Sequence, residues 1–403
     1  MSATNFLDRI DFSRLTGAAA QREAAADRFR ALGWPTRANE AWHYTDLNAR
    51  LKSFNLTLAT SGGDVAGMVP DTELPCVVFT NGRYDEIRST ASSFVTRWRG
   101  DDVNVVTPDL PMVTFNTAVA EDGACVAVPD ATDAGTMFLV SAVNVSDQAV
   151  ITPRHRVSIG AGASLTLIEI ARGIGSYLHS PVVEILLGKG AVLRHYRLQD
   201  DAPAAVHVTT VVVTIAEDAS YQSFTLNCGA RLSRNETHVS MIGSGGDVHL
   251  NAAQLLSGAQ LGDVTTVIAH EAPHCASRQT VKSILAGSAR GVFQGRIEVA
   301  RGAQKTDGYQ MNQTLLLSPD AEIDSKPELE IFADDVKCSH GATIGALDPE
   351  QIFYLRSRGI PESQARAMLV RAFLDEALEP VADHAARILF ESAVEAWWQE
   401  DVL

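Results

Sequence analysis

The sequence predicts a mainly β protein: a right-handed parallel β-helix (a solenoid) between an α+β N-terminal domain and a C-terminal helical domain. Three observations predict it: a turn that recurs about every 28 residues, short β-branched runs between the turns, and a change to helical periodicity after Gly345. The segments fall at 1–112, 113–346 and 347–403.

The N-terminal segment opens with an alanine-rich stretch, 18–32, of helical composition. It stops at Gly33, Trp34 and Pro35, the usual order of helix-ending residues. A second short segment, Asn39-Glu-Ala-Trp-His-Tyr-Thr-Asp-Leu47, follows at once. Cys76 to Thr80 is apolar and β-branched, and Asn81-Gly82 behind it is a pair that tight hairpin turns favour.

From about residue 150 one turn recurs. Gly160-Ala-Gly-Ala-Ser164, Gly188-Lys-Gly-Ala-Val192, Ala216-Glu-Asp-Ala-Ser220, Ser244-Gly-Gly-Asp-Val248, Ala272-Pro-His-Cys-Ala276 and Ala300-Arg-Gly-Ala-Gln304 start at equal intervals along the chain. Self-similarity at a fixed period marks a repeat architecture. The third slot holds Gly162, Gly190, Asp218, Gly246, His274 and Gly302, residue types that tolerate a left-handed turn. The fourth holds Ala163, Ala191, Ala219, Asp247, Cys275 and Ala303, of which all but the aspartate are small enough to point into a tight interior. A unit of this size is too short for propeller blades of about 40 residues and too rich in Val, Ile and Thr for helical repeats. A stack of parallel coils remains, and the chirality of parallel β connections makes it right-handed. A left-handed solenoid built of hexads would show repeated intervals of three hexads, and such an interval occurs once, from Gly302 to Asp320.

After Gly345, Leu347-Asp-Pro-Glu-Gln351 supplies an N-cap aspartate with proline in the first turn. That helix stops at Gly359. Pro361 opens the next, which runs to Leu378 with Ile360, Ala365, Met368, Leu369, Ala372 and Phe373 as its apolar stripe. Pro380 ends it, and a last helix reaches Trp397 and Trp398. These helices would cap the solenoid or receive a partner.

Composition removes several classes. The 403 residues carry a formal charge of -16, which repels phosphate and anionic lipid, so neither nucleic acid nor a membrane surface is an expected partner. Asp8, Arg9, Asp11 and Arg14 interrupt the N-terminus where a secretory signal would need an apolar run. The most apolar stretch, near Val208 to Ala216, is under half the roughly 20 residues of a membrane helix. A cytoplasmic protein is expected. Five cysteines without a C-x-x-C make neither a disulfide framework nor a four-thiolate zinc site, so they are expected as reduced thiols.

Little catalytic chemistry is visible. No P-loop occurs, because Gly188-Lys189-Gly190 lacks both the upstream glycine and the hydroxyl residue. The glycines at 160–162 and 243–246 precede strand-like runs, which excludes a dinucleotide fingerprint. His270, His274 and Cys275 have metal-ligand spacing, yet His274 fills the turn slot and Cys275 the small inward slot. Cys76, Cys125 and Cys228 read as small core thiols, and Asp334-Asp335 as a turn or solvated edge. Lys337-Cys338-Ser339-His340 differs. In a strand, Cys338 and His340 project to one face, and a thiolate beside an imidazole suits iron, zinc or a nascent iron-sulfur cluster. Two ligands cannot hold a cluster alone, and a structural role stays open.

Lys305-Thr-Asp-Gly-Tyr-Gln310, Leu315-Leu-Leu-Ser318, Pro327-Glu-Leu-Glu-Ile331, Asp334-Asp-Val-Lys-Cys-Ser-His-Gly-Ala-Thr343 and Phe353-Tyr-Leu-Arg-Ser-Arg-Gly-Ile360 resemble the SufB/SufD family of iron-sulfur cluster assembly proteins, continuously from about 300 to 378. Glu40-Ala-Trp-His-Tyr-Thr-Asp-Leu47 and the Cys338-x-His340 segment resemble the SufD side of that family. The resemblance implies a right-handed β-helix and a non-enzymatic scaffold. It implies a heterodimer with SufB through the last strands, a homodimer being open to the lone chain, and a SufC ATPase seated on the C-terminal helices. It makes His340 a candidate cluster ligand facing a SufB cysteine, with Cys338 as a second, at a transient iron-sulfur cluster that the lone chain does not hold tightly. Phe353, Tyr354, Leu369 and Phe373 are the expected anchors for SufC. The alternative is a stand-alone solenoid enzyme acting on a carbohydrate or acyl substrate. It would show paired carboxylates or a catalytic histidine on adjacent coils at the register of the repeat, and no such pair stands out.

Overall fold

The computed structural model describes residues 6–17, 19–59, 62–90, 92–100, 110–146 and 148–398; Met1–Asn5 and Ala18, on which expectations were placed, lie outside them. Strands make up 44% of the chain and helices 21%, and the strands wind into a parallel β-solenoid of about 8 turns. Each coil contributes one strand to each of two sheets. The first sheet runs from Val95–Trp98 through Gly123–Val128, Arg154–Ile159, Val182–Leu187, Val206–Ile215, Leu232–Met241, Leu261–His270 and Arg290–Val299 to Glu322–Ile331. The second runs from Arg83–Tyr84 and Cys76–Thr80 through Asp133–Asn144, Ser164–Ile174, Val192–Asp200, Ser220–Asn227, Asp247–Leu256, Ala276–Leu285 and Asp307–Leu316 to Lys337–Gly345. Pairing is parallel between coils, except that Val95–Trp98 lies antiparallel on Gly123–Val128 at the start of the first sheet; Cys76–Thr80 with Arg83–Tyr84, joined at Asn81 and Gly82 with φ of 53° and 78°, makes the expected hairpin.

The recurring turn is real, but its period is not constant. Ser164, Val192, Ser220, Asp247, Ala276, Asp307 and Lys337 stand in one column. The step along the chain is equal from Ser164 to Val192 to Ser220, shorter by one at Asp247, and longer at Ala276, Asp307 and Lys337. The left-handed turn positions are therefore Gly162, Gly190, Asp218, Gly245, His274 and Lys305, with φ between 57° and 75°. Gly246 and Gly302 drop out of the expected column. The inward small slot likewise continues from Ala163, Ala191 and Ala219 through Gly246 and Cys275 to Thr306, not through Asp247 and Ala303. Between the sheets the core is apolar in the early coils, with Leu165, Leu167, Ile185, Leu193, Val211, Val213 and Tyr221 buried together.

Both flanks are clad by the ends of the chain. Helix α1 (Ala19–Leu32), ended by Gly33 with φ 72°, lies with the short α2 (Leu47–Leu51) and α3 (Pro111–Val119) at the N-terminal side. Phe29, Trp34, Trp42, Leu47 and Phe115 from this segment bury Val206, Val208, Leu232 and Leu261 on the outer face of the first sheet. At the other end, α4 (Pro349–Ser357) starts at the Asp348 N-cap, which accepts from the Glu350 N–H, and Gly359 follows it with φ 85°. Helices α5 (Glu362–Leu378) and α6 (His384–Trp398) then fold back. Val370, Leu374, Phe390, Val394 and Trp397 cover Ile168, Ile170, Tyr196, Leu198, Phe224 and Leu226, the outer face of the second sheet. This corrects two expectations. The helices line the side of the solenoid and do not cap its end. The α5 seam is Val370, Leu374, Ala377 and Leu378, while Met368 and Ala372 of the expected stripe do not belong to it. Among the described residues no helix is long and apolar enough to cross a membrane, and the five cysteines form no disulfide.

Candidate functional site at the open end of the solenoid

Because the helices fold back, the final coil has no neighbouring strand on its far side among the described residues. Glu322–Ile331 and Lys337–Gly345 are the terminal strands of the two sheets, each paired on one edge only among the described residues. Ile331, Phe332 and Ile344 are exposed there. On Glu322–Ile331, Glu322, Asp324, Lys326, Glu328 and Glu330 alternate with Ile323, Ser325, Pro327, Leu329 and Ile331. Alternating charges and a proline are common ways of blunting a strand edge. The stretch from Glu328 to His340 is not one strand: it is the end of one edge, a corner, and the start of the other.

Cys338 and His340 stand on this last coil. Register places Cys338 beside Gly308 and His340 beside Gln310. Gly308, Gln310, Asn312 and Thr314 are buried on one face of their strand, while Leu315 on the other face lies under the C-terminal helices, so the face shared by Cys338 and His340 is the one that points between the sheets. Cys338 is half-buried against Ile297, Val299, Ala303 and Ala333, and a Cβ on Gly308 would lie 3.4 Å from its Sγ. Burial pushes its thiol up, so the lone chain holds it protonated at neutral pH. His340 is exposed at the rim. Behind it, both amide atoms of buried Gln310 lack hydrogen-bond partners. The arrangement presents one thiol and one imidazole at an open mouth.

The four expected anchors differ in exposure. Phe353 and Tyr354 on α4 are 74% and 57% exposed, with Arg358 stacked 5.0 Å from the Tyr354 ring. Leu369 and Phe373 on α5 are half-buried. Phe373 lies beneath Lys282, whose Nζ is 4.5 Å from the ring centroid, and so belongs largely to the seam between helix and solenoid. A groove of about 470 Å³ instead runs between α5 and α6, lined by Met368, Arg371, Ala372, Asp375, Val394 and Trp398.

The three residues with metal-ligand spacing are structural. His270 is buried, with Nε2 2.9 Å from Ser277 Oγ, and desolvation lowers its pKa to about 4. His274 holds φ 61° in the turn column, and Cys275 points inward with 1% exposure. What the sequence reading missed lies deeper. His179 and His207 are direct neighbours on adjacent coils, and Asp201 sits between them, 3.3 Å from His179 Nδ1 and 2.9 Å from His207 Nδ1. The signal was present: the two histidines are separated by the repeat interval itself, at which a pair on adjacent coils was expected and not recognised. Arg156 and Glu184, 2.8 Å apart, share the same interval.

Comparison with known proteins follows the same lines. Residues 141–373 match the family model for the SUF system FeS cluster assembly, SufBD core domain. Iron-sulfur cluster assembly protein SufD of Escherichia coli is 32% identical over 375 residues, covering 88% of this chain and 87% of that protein. Iron-sulfur cluster assembly SufBD family protein slr0076 of Synechocystis sp. is 31% identical over 399 residues, 90% of this chain and 87% of its own length. Protein ABCI7, chloroplastic, of Arabidopsis thaliana is 28% identical over 403 residues, with 91% and 83% covered.

Proposed function

Since the chain belongs to the SufBD family of iron-sulfur cluster assembly proteins, we propose that it is a non-enzymatic cytoplasmic scaffold subunit whose open coil is completed by a SufB-type partner. The observation that carries this reading is the placement of Cys338 and His340 at the rim of an unclosed solenoid end. A cluster needs about four thiolate or imidazole ligands, and this rim offers two, so the others come from across the interface. The unpaired backbone edges of Glu322–Ile331 and Lys337–Gly345 supply the affinity by strand addition. The exposed apolar residues Ile331, Phe332 and Ile344 supply the area. The cluster is cargo that forms in the assembled complex and leaves it; the lone chain binds iron weakly at this rim. Without its partner the same end is free to pair with a second copy.

The ATPase side of the reading rests on α4. Phe353 and Tyr354 are aromatic, adjacent and exposed, the character of interface anchors, and they support docking of a SufC-type ATPase. Co-expression with SufB-type and SufC-type partners tests the whole assignment. A His340→Ala complex should assemble normally, because a rim side chain contributes little to pairing. It should yield less reconstituted cluster, read from visible absorbance and from activation of an apo-acceptor. Wild-type cluster yield from the intact variant complex would reduce His340 to a structural residue.

A further inference from the structure

His179, Asp201 and His207 are 1%, 3% and 2% exposed, inside the solenoid and several coils from the open end. His179 ends the short strand Tyr177–His179, and its partner in register on the next coil is His207. Asp201 follows Val192–Asp200 at the corner that joins the two sheets. One donor atom from each residue lies within 4.8 Å of the others. Neither imidazole makes a hydrogen bond of good geometry to the carboxylate despite the short separations, and Nε2 of His179 has no partner at all. A buried imidazole with both nitrogens unsatisfied costs folding free energy. Something else is expected to satisfy it.

We propose that these three residues form a mononuclear site for a divalent first-row transition ion, Fe²⁺ or Zn²⁺ in kind. Bonds of about 2.0 to 2.1 Å to nitrogen and oxygen set ligand atoms about 2.9 Å apart at right angles and about 3.4 Å apart at the tetrahedral angle. The observed 2.9 Å from His207 Nδ1 to Asp201 Oδ2 and 3.3 Å from His179 Nδ1 to Asp201 Oδ1 are of that length, with each imidazole facing its own carboxylate oxygen. Two imidazoles with one carboxylate are a donor set that iron and zinc both accept. The surroundings orient it. Tyr177 Oη and Gln199 Nε2 each donate to Asp201 at 2.8 Å, and Thr209 Oγ1 contacts Nε2 of His207. Such outer contacts fix the ligating groups of metal centres. A cavity of about 40 Å³ beside the histidines, bounded also by His155, Glu169, Arg197 and Asn235, has room for a water as a further ligand.

The experiment uses the full chain, expressed in medium supplemented in turn with Fe²⁺, Zn²⁺ and Co²⁺, with metal counted per chain by mass spectrometry. About one equivalent is expected in the wild type and in His340→Ala, and a tenfold or greater fall in Asp201→Asn and His207→Gln. Tyr177→Phe removes one outer hydrogen bond without altering the ligand set. It keeps the measurement decisive if the ligand variants do not fold, and its affinity should fall about tenfold. The cobalt-loaded wild type should show d–d bands without sulfur-to-metal charge transfer, since no thiol is in the set. Under a tenth of an equivalent with all three ions, metal retained in the ligand variants, or a thiolate band would each overturn the site and leave a metal-free polar cluster.

Discussion

Replacing Arg234 by methionine should unfasten the N-terminal segment from the solenoid at a cost of about 3 to 5 kcal/mol, the usual penalty for removing one partner of a buried ion pair. Arg234 lies on the outer face of the first sheet with no exposed surface. Its Nη1 is 2.5 Å from Asp263 Oδ2 and its Nε 3.5 Å from Glu236 Oε2. It donates to the Ala41 carbonyl at 2.8 Å and stacks 4.0 Å from the Trp42 ring. Methionine keeps the volume but removes the guanidinium counter-charge, leaving Asp263 to the Thr45 and Thr265 hydroxyls and Glu236 to His238. The ionisation of Glu236 points to the same magnitude. Burial alone would raise its pKa, but the Arg234 charge and the hydrogen bonds from His238 and Arg234 outweigh it and hold it at about 2 against an ordinary 4.5. That difference corresponds to about 3 kcal/mol.

The pH dependence follows from the direction. A carboxyl group with a depressed folded pKa stabilises above 4.5, and that contribution drains away as pH falls towards 2. The variant loses the Arg234 share and keeps that of His238, so the gap between wild type and variant should narrow on acidification, by about 1 kcal/mol at pH 3.5. Urea unfolding followed by far-ultraviolet circular dichroism at pH 7.5 and pH 3.5 measures both. Against a total stability of about 5 to 15 kcal/mol the loss is large. A neutral-pH loss below about 1 kcal/mol, or a gap that widens in acid, would refute the reasoning.

Phe353→Asp should reduce co-purification of a SufC-type ATPase about five- to thirtyfold, the effect of losing about 1 to 2 kcal/mol at an aromatic anchor, while the thermal midpoint of the lone chain stays unchanged; undiminished capture would remove α4 from the interface. Ala219→Leu forces three carbons into the inward column beside Ala191 and Gly246 and should cost about 1 to 3 kcal/mol in urea titration, whereas a neutral result would mean the column is loosely packed. His274→Gly relieves a left-handed conformation and should stabilise the chain by about 1 kcal/mol; a loss of stability would show that the imidazole makes an interaction the turn geometry does not explain.

The sequence made the architecture legible where coil length was constant, across Ser164, Val192 and Ser220. It misled where corners lengthened, as between Ala276 and Asp307. Register is set by backbone pairing and not by residue count, so extra residues at a corner shift the period without moving the strand. The α5 stripe misled for another reason. Ala365, Met368, Val370, Ala372 and Leu374 are apolar around most of the helix, and only the sheet it lies on selects Val370 and Leu374 for burial. Strand alternation alone put Cys338 and His340 on one face. That this face points between the sheets needed Gly308 and Gln310 as register partners. His179 and His207 were readable from their interval, but Asp201, which comes from a corner, was not.

A solenoid can be regarded as a crystal one molecule wide, and its open end as the growth face. The opposite face is passivated: the Cys76–Tyr84 hairpin and the antiparallel strand Val95–Trp98 terminate the lattice with a layer of different pairing. The exposed face keeps the lattice spacing and the unspent hydrogen bonds of every coil beneath it, so it can template one further layer. The ordered charges from Glu322 to Glu330 and the proline among them act as an impurity written into the final row, admitting a layer with matching charges and ending growth there.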